Sequence, residues 1–296
     1  MRLGIVTHRA GRTNLGLAAR RAPGFAHVCL VSPREALALL RPGDVALGRL
    51  DVRETLDGIE SGLPALSSLA ARGVTVLNPP GALISAHDKL LTARALGRGG
   101  LSHPRSEAVR PGCEGPAIDP PLVLKPRFGS WGRDVLLCRD EDEVTRRLAE
   151  LETRPWFWSH GALAQELVTP LGHDLRIVVA AGRVVGAVKR VAAPGEWRTN
   201  VALGGRRVSV APAPAACELA LAAAHCIGAD LAGIDLLPTG PGRYCVLELN
   251  GAVDFGTEYS PAADVFSAVL DALARAVGEG AEARAALPEA QAAVVL

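Results

Sequence analysis

The sequence predicts an α/β protein of two or three small lobes, opened by a parallel sheet flanked by helices. Three observations predict it. Up to about residue 85, apolar runs of strand length alternate with stretches of helical spacing, the pattern of parallel strands joined by helices. Later strands are joined by tight turns instead: Ala181-Gly182 separates one pair, and Pro238-Thr239-Gly240-Pro241-Gly242 another. A length of 296 residues exceeds what one small core needs. The hydrophobic share of 49% against 21% charged excludes wholesale disorder.

The elements follow in order. Leu3 to Thr7 and Phe25 to Val31 are short apolar runs. Arg34 to Leu40 has helical spacing and stops at Pro42-Gly43, Val45 to Leu50 reads as a strand, and Leu63 to Arg72 is a helix closed by Gly73. Val74 to Leu77 ends at Asn78-Pro79-Pro80. Asp88 to Leu96 is helical, and Gly97 to Pro121 is heavily punctuated. Leu122 to Lys125 and Val135 to Cys138 are strands around a glycine-containing loop. Asp140 caps a helix that carries Val144, Leu148 and Leu151 on one face. Leu163 to Val168 is a strand, and Leu175 to Ala180 with Arg183 to Val191 form a hairpin. Ala215 to Ile227 is an alanine-rich helix ended by Gly228, then Gly233 to Leu237 and Tyr244 to Leu249 are strands. Ser260-Pro261 opens a final helix that runs to about Val277 and stops at Gly278.

The formal net charge of +1 argues against broad electrostatic binding to nucleic acid or to an anionic membrane. No apolar run reaches the ~18 residues of a membrane span, and Met1 to His8 is too short for a signal peptide, so a cytoplasmic location is expected. The six cysteines are scattered without a CxxC pair, which supports neither a zinc site nor a disulfide framework. Of 32 basic residues only Lys89, Lys125 and Lys189 are lysine. A chain so biased toward arginine keeps lysine where a compact ammonium is wanted, or these three are surface leftovers.

Four constellations carry chemistry. Glu248 and Asn250 are i and i+2 on one strand and share a face, and the short turn brings Asp235 of the preceding strand beside them. Two carboxylates and an amide oxygen form a hard-oxygen cluster suited to Mg²⁺ with phosphate and water completing its shell; a solvated polar sheet face is the alternative. Lys125 to Val135 is a strand, a Gly129-Ser130-Gly132 loop and another strand, able to close backbone N–H groups over phosphate, or a plain hairpin. Gln165-Glu166-Leu167-Val168 and Gly172 to Arg176 could present strand-end groups to a flat base, or form a surface edge and turn. Lys189-Arg190, then Arg198-Thr199-Asn200 and Gly204-Gly205, could bind phosphate or carboxylate, or end an exposed basic hairpin. Histidine metal pairs, a GxSxG elbow and a GxGxxG fingerprint are missing, His87 reads as structural, and Trp156-Phe157-Trp158 reads as a core or lobe contact.

Taken in order from Asp88-Lys89 to Glu248 and Asn250, these pieces resemble the ATP-grasp ligase superfamily over about residues 78 to 255. The branch they are most similar to is the RimK-like amino-acid ligases, which include the ribosomal-protein glutamate ligase. Gly129 to Arg133, and Trp197 with Thr199-Asn200, are also similar to the lysine-biosynthesis enzyme that joins an amino acid to a carrier protein. After Asn250 the chain departs from both, reading Gly251-Ala252-Val253-Asp254-Phe255 beside the acceptor site.

The resemblance implies an ATP-grasp fold in which two α+β lobes clamp ATP. It divides the chain into an N-terminal pre-ATP-grasp α/β domain (1–86), a central lid subdomain (87–166), a C-terminal subdomain with the metal site (167–280) and a tail (281–296). It implies two Mg²⁺ ions, for which Mn²⁺ could substitute, on Asp235, Glu248 and Asn250. Lys89 and Lys125 would reach the phosphates under a loop containing Ser130, Trp131 and Gly132. Glu166, Leu167 and Val168 would hold adenine, Asp174 would lie near the ribose, and Arg176 would join the nucleotide site. Lys189, Arg190 and Arg198 are the implied catalytic cations, with Thr199 and Asn200 beside them at the γ-phosphate. The implied activity is ATP-dependent carboxylate–amine ligation through an acyl phosphate, adding a glutamate-like amino acid to a small-molecule, peptide or carrier carboxylate. An ATP-grasp kinase, or a nucleotide-binding module without catalysis, are the alternatives. Related ligases are often dimers or tetramers, so a homo-oligomer is within the expectation. Replacing Glu248 by Gln or Asp235 by Asn is expected to stop turnover and leave the fold intact.

Overall fold

The computed structural model describes residues 1–113 and 115–285. Three sheets follow one another along the chain. The first is parallel, in the order β2 (His27–Val31), β1 (Arg2–Val6), β3 (Val45–Gly48), β4 (Thr75–Leu77). Helices α1 (Arg12–Ala18), α2 (Pro33–Leu39) and α3 (Leu63–Ala71) connect its strands. Ser32 opens α2 with a reciprocal hydrogen-bond pair to Glu35, which satisfies two orphan N–H groups of the first turn.

Asn78 ties this lobe to the last sheet. Its amide receives the backbone N–H groups of Asp230 and Leu231 and donates to the Leu231 carbonyl at 2.7 Å, with no exposure to solvent. Helices α4 (Pro80–His87) and α5 (Lys89–Arg98) follow; Asp88 caps α5 through two backbone N–H groups. The sequence reading missed α4 because Pro79-Pro80 looks like a terminator, whereas Pro80 sits in the first turn, where a missing N–H costs nothing.

The second sheet is antiparallel, in the order β5 (Ser106–Val109), β8 (Ala162–Glu166), β6 (Leu122–Pro126), β7 (Leu136–Cys138). Helices α6 (Glu141–Leu151) and α7 (Pro155–His160) cover it, and α7 buries Trp156 and Phe157 while Trp158 stays exposed. The third sheet runs β11 (Arg206–Ser209), β10 (Arg183–Val191), β9 (His173–Ala180), β12 (Leu231–Gly240), β13 (Arg243–Asn250), also antiparallel. Strands β5 and β11 and helix α7 are short pieces that the sequence patterns do not reveal.

Strand alternation in the third sheet decides the site. Leu175, Ile177 and Val179 of β9, with Ile234 and Leu236 of β12, pack on α8 (Pro214–Ile227). The opposite face of the same strands is apolar only where α9 (Val265–Ala285) covers it, at Val178, Ala180 and Val188. Toward the other end of that face stand Asp174, Arg176, Arg190 and Asp235. Helix α9 starts later than the Ser260-Pro261 signal suggests and passes through Gly278, because its apolar stripe Val269, Leu270 and Leu273 is held by tertiary packing. The expected tail from residue 281 is helical to Ala285, and 286–296 lie outside the described residues. The expected domain cuts at 86/87 and 166/167 fall between the strands of successive sheets, the first of them inside α4.

Candidate active site

A cavity lies between the second and third sheets. Val123 and Val135 on one side and Leu237 and Leu247 on the other make it an apolar slot. Glu166, Leu167 and Val168 line it where β8 ends. At the inner end stand Lys89, Lys125, Arg190 and Glu248, with Ser130, Trp131 and Gly132 of the β6–β7 loop above them.

The cations of this end are held by built-in partners. Lys89 Nζ donates to the Gly129 carbonyl at 2.8 Å and lies 3.1 Å from Glu248 Oε2. Lys125 Nζ donates to Gln165 Oε1 at 2.7 Å. Burial pushes the Lys125 ammonium down to about 8, and neighbouring Lys89 adds to the shift against the pull of Glu248. Glu248 is held well below the usual carboxylate range: burial opposes its charge, but Lys89, Lys125 and Arg176 outweigh it.

Arg190, at 4% exposure, is the hub of a buried network. It donates Nε to Asp174 at 2.8 Å and Nη2 to both Asp174 and Asp235, the latter at 2.8 Å. Arg176 meets Asp235 bidentately, at 2.7 and 2.6 Å. Thr199 Oγ1 donates to Asp174 at 2.6 Å. Both carboxylates are therefore spent inside the sheet. Asp174 holds Arg190 and Thr199 rather than presenting its carboxylate to a ribose, and Asp235 has no exposed surface. An Asp235→Asn change would remove the counter-charge that Arg176 and Arg190 share, so the expectation of an intact fold gives way to a stability cost.

The loop is pinned from below. Arg198 forms an ion pair with Glu196 at 2.8 Å and donates Nη1 to the Gly132 carbonyl at 3.1 Å, so it acts on the loop backbone. The same pair holds the Glu196 carboxyl down to about 2. Gly132, at φ +71°, sits against Asn200, where an added Cβ would come within 2.8 Å of Oδ1. Trp131 precedes it at φ +59°, an unusual conformation for a bulky residue, and lies between Arg133 and Arg9 of the first lobe at 4.9 and 5.6 Å.

Lys189 does not reach the cavity. It shares its face with Ala187, the side that α8 covers, whereas Arg190 points the other way. Arg176 and Asn250 belong to a second cavity beyond the loop, which shares Ser130, Trp131, Arg190, Asn200 and Glu248 with the first. The Asn250 amide nitrogen is buried without a partner there. Among the described residues no three His, Cys, Asp or Glu side chains converge into a metal cage. His87 is buried beside Gly251, and burial pushes its imidazole down to about 4, which keeps it neutral.

An apolar slot leading to paired lysines under a glycine loop, between two antiparallel sheets, matches a known domain. The RimK-like ATP-grasp domain matches residues 88–265. The chain belongs to the RimK-like ATP-grasp family. The tetrahydromethanopterin:alpha-L-glutamate ligase of Methanosarcina acetivorans is 30% identical over 233 residues, 69% of this chain and 68% of that protein. The glutamate–LysW ligase ArgX of Sulfurisphaera tokodaii is 31% identical over 223 residues, covering 72% and 78%. The D-alanine–D-alanine ligase of Bacillus anthracis, solved with ATP, has the same fold, with a TM-score of 0.69 over 96% of this chain and 99% of that one at 16% identity. The RimK-like protein is an ATP-dependent ligase that joins a carboxylate to an amine. No helix among its described residues is long and apolar enough to cross a membrane.

Sequence reasoning missed Asp51, Arg207 and Asp254 of the RimK-like ligase, which line the second cavity. Asp51 lies in an irregular stretch after β3, and Arg207 is on the unrecognised β11. Asp254 was visible only as part of the departure after Asn250.

Proposed function

We propose that this ligase phosphorylates a carboxylic acid with ATP and passes the acyl group to the amine of an amino acid, glutamate being the first candidate. The observation that carries the reading is the pair of adjoining cavities: one fits a nucleotide, and the other opens from its phosphate end and is lined by charged side chains. The curated relatives named above, both glutamate ligases, support the choice of amine.

A carboxylate is a poor electrophile until its oxygen becomes a phosphate leaving group. Arg190 and Lys125, fixed by Asp174 and Gln165, supply positive charge where the transferred phosphoryl group would carry negative charge. The Ser130–Gly132 tip, held by Arg198 below and Arg9 beyond, screens the acyl phosphate from water. The amine then attacks, phosphate leaves, and an amide forms.

Two of the expected metal donors fit a divalent cation. Glu248 keeps its negative charge at the junction of both cavities, and Asn250, two positions along the same strand face, would offer its amide oxygen. Asp235 fits only by giving up an arginine. Mg²⁺ held by Glu248 and Asn250 would neutralise phosphate charge during transfer.

The test is incubation with ATP, Mg²⁺, hydroxylamine and a panel of carboxylic acids. Hydroxamate together with ADP is the expected product. Phosphorylated acid that never yields hydroxamate would point to a kinase, and ATP binding without turnover of any acid would refute both.

A further inference from the structure

We propose that Ser106, acting through the Gln165 amide, positions Lys125 for the triphosphate and so tunes the nucleotide site from outside the cavity. The inference rests on the reading of Lys125 as a phosphate ligand and adds the residue that orients its acceptor.

Strand register brings the three residues together. Gln165 of β8 is paired with Val123 of β6 on one side and with Ser106 of β5 on the other. Cross-strand partners share a face of the sheet, and Lys125, two positions beyond Val123, shares it too. Lys125 and Gln165 are each buried to 5% exposure and line the cavity. Ser106 stands one strand farther out, on the edge of the sheet. The sequence pattern offers Gln165 to a flat base, but its side chain meets the lysine of the phosphate end instead.

The hydrogen bonds among them run in one direction. Ser106 Oγ lies 2.9 Å from the Pro104 carbonyl, which can only accept, so the hydroxyl donates its proton there. Oγ is left as an acceptor toward Gln165, and the amide presents Nε2 to it at 2.9 Å. That orientation turns Oε1 to Lys125 Nζ, at 2.7 Å. An ammonium has donors and no acceptor, so an amide turned the other way would set N–H against N–H in a buried place. Gln165 is the one hydrogen-bond acceptor of Lys125 among the described residues, which leaves its other N–H groups for a ligand. Each bond of the chain polarises the next. Without the Ser106 hydroxyl the amide is held from the Lys125 end alone and Nε2 loses its acceptor, so Oε1 no longer fixes where the ammonium points.

The full chain is titrated by calorimetry with a non-hydrolysable ATP analogue in the presence of Mg²⁺ and, separately, with adenosine, which has no phosphate. The ratio of the two affinities reads the grip on phosphate, and adenosine binding by itself verifies that a variant is folded. Ser106→Ala is expected to lower the ratio about fivefold, the worth of one ordinary hydrogen bond, and to leave adenosine binding unchanged. Ser106→Thr keeps the hydroxyl and is expected to keep the wild-type ratio. Lys125→Met should lower the ratio further, and Ser106→Ala added to it should cost nothing more, because the two act through one chain of contacts. Three results each overturn the relay: an unchanged ratio in Ser106→Ala, a Ser106→Thr variant as weak as Ser106→Ala, or the same loss from Ser106→Ala with and without Lys125. The wild-type hydroxamate assay, run at saturating ATP, reports on the ligase reading separately, because it measures product and not the grip on phosphate.

Discussion

The nucleotide cavity draws its residues almost wholly from the second and third sheets, whereas the second cavity takes its far wall from the first lobe and from the chain just past β13. In the first, charged groups come with partners a strand or two away: Lys125 with Gln165, Arg190 with Asp174. In the second the pairing is sparser: Asp51 has Arg9 at 3.7 Å, and Asp254 accepts the Thr13 hydroxyl at 3.2 Å. A pocket for an invariant ligand such as ATP can be preorganised by permanent hydrogen bonds. A pocket that selects among substrates leaves its polar groups unsatisfied until the right one arrives.

The largest expected effect separates Glu248 from Asp235. Glu248→Gln should lower kcat by about 10³-fold, as losing a preorganised charge at the phosphates does, with a smaller fall in denaturation midpoint than Asp235→Asn, because it gives up the Lys89 ion pair at 3.1 Å. Asp235→Asn should instead cost ~3–5 kcal/mol of stability by chemical denaturation, because Arg176 and Arg190 lose their common counter-charge in a buried site. Wild-type stability in that variant would mean that the arginines are balanced by something other than Asp235.

A smaller effect is set by pH. Burial lowers Lys125 to about 8, so its positive charge, and its grip on phosphate, is present below that pH and lost as pH rises through it. ATP affinity measured by titration should fall by up to about tenfold per pH unit above 8. Lys125→Arg keeps its charge and should lack that limb; a pH-independent affinity in the wild type would remove Lys125 from the phosphate site.

The smallest concerns the bridge between the two regions. Arg9→Ala removes the first-lobe cation beside Trp131, a contact worth ~0.5–1 kcal/mol, or a few-fold. ATP consumed per amide formed should rise, because the loop tip closes less tightly over the acyl phosphate. An unchanged ratio would show that the tip seals without the first lobe.

Much of the nucleotide cavity was legible because each part is local. Glu248, at the border of the two cavities, shares a strand face with Asn250 of the second at spacing two, and Gly129 to Gly132 form one loop. Lys189 misled because it is adjacent to Arg190 between apolar residues, and nothing local says which of the two faces the site. Two carboxylates misled for the opposite reason: Asp174 and Asp235 look free in sequence, but arginines on neighbouring strands occupy them. In the fold, α1, β5, β11, α4 and α7 were missed, each short or opened by a residue that usually breaks structure.

By itself the sequence determined the alternation of strand and helix in the first lobe, the hairpins of the third sheet, and the order of motifs that places the chain among ATP-grasp ligases. Those are properties of residues a few positions apart, governed by side-chain period and turn chemistry. Only the tertiary structure decided which acids are spent and which are open. Asp51 and Asp254 lie about two hundred positions apart in the chain and line one cavity where Asn78 staples the first lobe onto the third sheet. Whether a charge is neutralised depends on what stands within a few ångströms of it in space, and that distance is not written in the spacing of the sequence.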